Sequence, residues 1–208
     1  MRAIWTRRLV DLLIAVFALA FVGILVRMGG AIAEGKFDML SWPASNDHFT
    51  AYVLGDPSAW WDARDGDVRV LGQPLVNGIQ YALFLLNILL GAVALWRLRG
   101  FLARTAKSEV FSDANVAALR GIAWLLLTIA AVSVIRAALV QWTILDSIPP
   151  MDGKVVRSSL SLSVTGVQNI ELKYSPPLIT LLLALIAFIT AGAFRSGKNF
   201  RDDSESVV

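Results

Sequence analysis

The 208-residue chain contains no cysteine and a single histidine, His48. Without thiols there is no disulfide, no thiolate nucleophile and no Cys-ligated zinc, so loops must be ordered by packing and hydrogen bonds. One imidazole cannot complete a transition-metal shell, and carboxylates added to it would favour harder ions. Flanked by Asp47 and Phe49 in a stretch without periodicity, His48 reads as a solvated residue. Also missing are a nucleophile elbow, a phosphate-cradling glycine loop and a zinc-protease helix motif. No catalytic residue, cofactor or metal is expected. An enzyme built on Asp62, Asp65 and Asp67 is the weakest reading, because no base or nucleophile stands beside them.

Charge is scarce as well: 17% of residues are charged and 56% are hydrophobic. The shortage is concentrated in four runs, Leu9 to Val26, Leu75 to Trp96, Gly121 to Trp142 and Leu178 to Phe194. A helix rises ~1.5 Å per residue and a bilayer core is ~30 Å thick, so runs of this length can cross. The last run has no charge on any face, whereas a soluble helix keeps a polar stripe. The expected fold is an all-α membrane protein, a bundle of four transmembrane helices in a single domain. Its spans fall at about 9–26, 75–96, 121–142 and 178–194. Outer loops then occupy 27–74 and 143–177, an inner connection 97–120 and a tail 195–208.

Basic residues near span ends set orientation. They gather at Arg2, Arg7 and Arg8, at Arg97, Arg99, Arg104, Lys107 and Arg120, and at Arg195, Lys198 and Arg201. The first outer loop sets four bases, Arg27, Lys36, Arg64 and Arg69, against seven acids. Both termini are therefore expected in the cytoplasm. Trp5, Trp96 and Trp124 fall at inner span ends and Trp142 at an outer end, as interfacial indoles do. The formal charge of +3 needs no nucleic-acid groove, since lipid-facing cations account for it. A secretory signal peptide is the rival for the first run, with Ala31-Ile32-Ala33 resembling a cleavage site. The run exceeds the ~7 to 15 residues of a signal core, so retention is the simpler expectation.

Outside the spans, Ser159 to Val164 and Gln168 to Tyr174 alternate apolar and polar residues around Thr165-Gly166, the pattern of a β-hairpin. An odd-numbered loop sets Leu162 opposite Ile170 and Leu160 opposite Leu172, giving one apolar face. Asp67 to Leu71 offers a further strand, while residues 36–65 look irregular. A small extracytoplasmic cap containing the hairpin is expected, because a lone hairpin is marginal in water.

Two charges fall within the spans. Asp11 lies one turn after Arg7, so an i,i+4 ion pair accounts for it. Arg136 lies six residues before Trp142, so its stem can snorkel outward or its head can pair with an acid of the cap. Asn87, Gln80 and Ser133 read as interhelical hydrogen bonds, and Gly91 and Ala187-x-x-x-Ala191 as places of close helix approach. Arg97 to Lys107 reads as a basic continuation of the second helix. In the following elbow, Ser112 or Asp113 can cap the third helix and Phe111 can staple it against Val116.

That elbow, Phe111-Ser112-x-x-Asn115-x-x-x-Leu119-Arg120-x-Ile122-Ala123-Trp124, resembles an uncharacterised bacterial membrane family, domain of unknown function 2975. The ending is similar too, with Phe194-Arg195-x-Gly197 followed by Arg201-Asp202-Asp203. One position departs: an acid often stands two residues before the Phe of the ending, and here it is Gly192. The resemblance implies a membrane-embedded regulatory partner, because such genes commonly adjoin that of a small helix-turn-helix regulator. Candidate contact residues are Arg99, Arg104, Lys107, Phe111, Ser112, Asn115 and Arg120 in the elbow, with Phe194, Arg195, Gly197 and Arg201 in the ending. A non-enzymatic regulatory membrane protein is the leading expectation. A small transporter or channel component, motivated by Asn87 and Arg136, is the alternative.

Overall fold

The computed structural model describes residues 2–37, 40–45, 49–52, 60–64, 67–107, 110–147, 155–158, 169–172 and 174–205. Its helices are α1 (Arg2–Ala33), α2 (Pro74–Thr105), α3 (Asp113–Ser147) and α4 (Leu178–Glu205), and its strands are β1 (Leu40–Ser45), β2 (Phe49–Tyr52), β3 (Trp60–Arg64), β4 (Asp67–Val70), β5 (Val155–Ser158) and β6 (Asn169–Leu172). Among the described residues, four helices are long and apolar enough to cross a membrane. Their surfaces carry large apolar side chains in the open, such as Leu19 at 72% and Ile179 at 77% exposure. Contiguous surfaces of this kind are rare in water and ordinary against lipid acyl chains.

Each helix outruns its apolar run. In α1 the extension ends in a Schellman motif: Gly35, at φ 66°, donates its N–H to the Ile32 carbonyl (3.1 Å), and the Lys36 N–H reaches Ala31 (2.8 Å). Only glycine takes the left-handed conformation there without a Cβ penalty. The α4 extension turns the expected tail into helix as far as Glu205.

Contacts divide the chain into two compact units. The first comprises Met1–Gly23, Leu85–Val132 and Pro177–Val208. Within it, α1 meets α2 where the Phe17 ring lies against Gly91, and α2 meets α3 where the Arg97 guanidinium lies across Gly121. The rings of Trp124 of α3 and Phe188 of α4 meet nearly at right angles (5.5 Å). Ala123, Ala184 and Ala191 are buried, so small side chains line the helix contacts.

The second unit comprises Ile24–Phe84 and Ser133–Pro176. Here Asn77 of α2 donates to the Phe37 carbonyl (2.7 Å), Phe37 stacks on Tyr81 (6.1 Å), and Gln73 donates to Ser147 of α3 (3.1 Å). The same unit holds a six-stranded sheet in the order β2-β3-β4-β1-β6-β5. All its neighbours are antiparallel except β5 and β6.

Part of residues 36–65, expected to be irregular, forms β1, β2 and β3. Leu40 and Trp42 are buried while Ser41 and Pro43 are exposed, the period of two that a half-buried strand shows. Pro43 is tolerated because β1 pairs there with β4 alone, its contact with β6 beginning at Ala44. The strand expected at Asp67 to Leu71 is present as β4.

The hairpin expectation fares differently. Its first strand, Ser159 to Val164, lies outside the described residues, as does the Thr165-Gly166 turn. Its second strand is β6, whose partners are β1 in antiparallel register (Ala44 opposite Leu172) and β5 in parallel register (Ile170 opposite Val156). Pairing into a larger sheet serves β6 better than an isolated two-stranded ribbon.

Candidate functional site

In the first unit, the elbow and the end of α4 meet. Ser112 caps α3: its hydroxyl accepts the Asn115 backbone N–H (3.3 Å), and its carbonyl accepts that of Val116 (3.1 Å). Asn115 is fully buried and joins three pieces of chain. Its Oδ1 accepts a hydrogen bond from Arg104 Nε of α2 (2.8 Å), and its Nδ2 donates to the Val110 carbonyl (3.0 Å). Arg104 also reaches the Ala114 carbonyl (3.4 Å). A buried amide with both ends occupied locks the turn between two helices, because releasing either end would strand a polar group.

The Phe111 ring lies against Phe194 of α4 (5.5 Å), which also contacts Phe101 of α2 (5.6 Å). Gly197 admits this arrangement: a Cβ there would sit 2.6 Å from the Phe111 ring. Beside the aromatic group, Lys198 donates to Asp113 (2.6 Å) and lies 3.9 Å from Asp202. The candidate residues Arg104, Phe111, Ser112, Asn115, Phe194 and Gly197 therefore form one cluster. Lys107, Arg120, Arg195 and Arg201 are exposed.

Arg99 stands apart from that cluster and is committed elsewhere. It donates to Asp11 of α1 (2.5 Å) and lies over the Trp96 ring (5.6 Å). The expected partner of Asp11, Arg7, has its side chain outside the described residues; the partner described is Arg99, 88 positions away on the neighbouring helix. An interhelical pair joins two elements where an i,i+4 pair would have supported only one.

Sequence reasoning missed Phe101, Lys198 and Asp113 as members of the cluster. The Lys198 to Asp202 spacing of one turn was visible; the approach of Lys198 to Asp113 needs the fold.

In the second unit, Arg136 has no acid partner among the described residues, and the side chains of the acids of residues 38–67 lie outside them. Its guanidinium lies between the rings of Trp42 (5.5 Å) and Phe84 (5.2 Å), and its Nε is buried without a hydrogen-bond partner among the described residues. Aromatic faces attract a partly desolvated cation. Asn87, the remaining intramembrane candidate, is half-buried on α2 in the first unit. His48 lies outside the described residues. Among the described residues, no three His, Cys, Asp or Glu side chains gather as a metal site.

Four lipid-length helices with a sheet and an ordered helix-to-helix elbow define a multi-pass membrane protein. Residues 35–208 match the family of proteins of unknown function DUF2975, and the chain belongs to that family. The matched region includes the whole elbow cluster. No curated protein and no solved structure matches the chain.

Proposed function

We propose that this is a non-enzymatic regulatory protein of the bacterial inner membrane, whose elbow cluster binds a cytoplasmic helix-turn-helix regulator. The observation that carries the reading is the junction of Phe111, Phe194 and Gly197 over the Asn115 hub, an ordered surface that crossing a bilayer does not require. Exposed Lys107, Arg120 and Arg195 accompany it on the same unit. Such charge favours an acidic face of the partner and disfavours its basic, DNA-reading face. The placement of basic residues supports cytoplasmic termini and elbow, with segments 27–74 and 143–177 outside as a signal-receiving cap containing the sheet. The DNA itself is not a partner of the chain.

Photocrosslinking from Ser112 and Lys107 in growing cells tests this. Recovery of a DNA-binding protein, lost on Phe111→Ala, is the expected result. Crosslinks to lipid alone across growth conditions contradict it.

A small transporter or channel component is the second reading, favoured by the half-buried Arg136. It requires water along the spans. Cysteines at Asn87 and Gly91 that stay unreactive to aqueous thiol reagents count against it.

A further inference from the structure

The second unit holds an open cleft of about 690 Å³ that the elbow reading does not use. Its size falls within the ~300 to 1,000 Å³ typical of small-ligand sites. Three cations stand on its wall, Arg27, Lys36 and Arg136, against one acid, Glu34. That acid is already engaged: Lys36 donates to it at 2.9 Å, and this hydrogen bond, with the Lys36 charge, holds its carboxyl below the usual range. Neither Arg27 nor Arg136 has an ion-pair partner among the described residues.

The Arg136 guanidinium lies over both the Trp42 and the Phe84 ring, and its buried Nε has no acceptor among the described residues. A guanidinium with donors to spare in a cleft wall is suited to a phosphate or carboxylate. Gln80 and Tyr81 add neutral polar groups on α2, while Ile24 and Phe84 supply apolar wall. A cleft with that mixture suits a ligand bearing an anionic head and an apolar part.

We propose that this cleft binds an anionic oxygen group, phosphate or carboxylate, with Arg136 and Arg27 as its principal contacts. The group can arrive on a membrane lipid or as a soluble anion, and two probes distinguish these sources. The full chain is purified into neutral phosphatidylcholine nanodiscs, and Trp fluorescence is followed during titration with inorganic phosphate. In parallel, native mass spectrometry counts phosphatidylglycerol retained from mixed micelles.

At least one probe is expected to bind saturably, and Arg136→Gln is expected to weaken it about tenfold or more, as loss of a charge-assisted contact does. Saturation by phosphate marks a soluble anion, and retained phosphatidylglycerol a lipid head. Arg97→Gln removes a cation from the other unit and should leave either signal unchanged. If Arg136→Gln does not fold, Arg27→Gln, an exposed position, supplies the same comparison with a smaller loss. Absence of saturable binding of both probes, or equal binding by wild type and the folded variants, overturns the proposal.

Discussion

Replacing Asn115 with alanine is the sharpest perturbation of the elbow. The side chain is fully buried and, among the described residues, holds hydrogen bonds from Arg104 Nε (2.8 Å) and to the Val110 carbonyl (3.0 Å). The bond to arginine is charge-assisted, a class worth ~1.5 to 3 kcal/mol, but half-buried Arg104 can recover water, so the lower end applies. Loss of the second bond leaves the Val110 carbonyl without its amide donor, adding ~1 to 2 kcal/mol. Alanine returns ~0.5 kcal/mol through better helix propensity. The net loss is about 2 to 3 kcal/mol. Asn115→Asp keeps an acceptor for Arg104 yet turns an oxygen toward the Val110 carbonyl, so it should fall between wild type and Asn115→Ala. Unfolding by SDS titration in mixed micelles reads the global effect, and amide exchange over residues 110–116 reads the local one. An Asn115→Ala protein within about 0.5 kcal/mol of wild type, with unchanged exchange, refutes the hub.

Other substitutions have distinct signatures. Gly35→Ala places a Cβ on a left-handed residue and should cost about 1 kcal/mol, seen as faster amide exchange at Lys36 and the end of α1. Leu40→Ala empties a fully buried position in β1 and should cost about 2 to 5 kcal/mol, read by SDS titration. Asp11→Asn removes a pair whose side chains are 33% and 44% exposed, so its stability loss in the same titration should stay below about 1 kcal/mol.

How legible was all this in the residues? The spans were plain because their surfaces are apolar all round, as lipid-facing helices are. Their ends were harder to place. Val26 closed the first run by hydropathy, yet Gly29, Gly30, Ala31 and Ile32 continue the helix until Gly35 stops it. The Ala33-Glu34-Gly35 ending was a readable stop signal that the charge of Arg27 obscured. In β1, Pro43 masked the alternation of Leu40 and Trp42, and only the one-sided pairing at that position resolves the conflict.

The Ser112 cap could be read locally because capping is local chemistry. Asn115 stood in the family motif, but its bonds to Arg104 and Val110 depend on how α2 turns into α3. Distant pairs such as Asp11 with Arg99, and Lys198 with Asp113, left no trace in spacing. Local partners were chosen for Asp11 because spacing can offer no others. Arg136 stood out as an ionisable residue within an apolar run, but its approach to the Trp42 and Phe84 rings, like the other distant contacts, left no trace in spacing.

The proposed contact with a cytoplasmic regulator requires the elbow to face the cytoplasm and the loop that follows α1 to face outward. The native chain has no cysteine, so single cysteines replacing Lys107 and Glu34, both exposed, report on this cleanly. A membrane-impermeant maleimide applied to intact cells should label Glu34→Cys at once and Lys107→Cys only after the membrane is permeabilised. Labelling of Lys107→Cys in intact cells, with Glu34→Cys protected, contradicts the account.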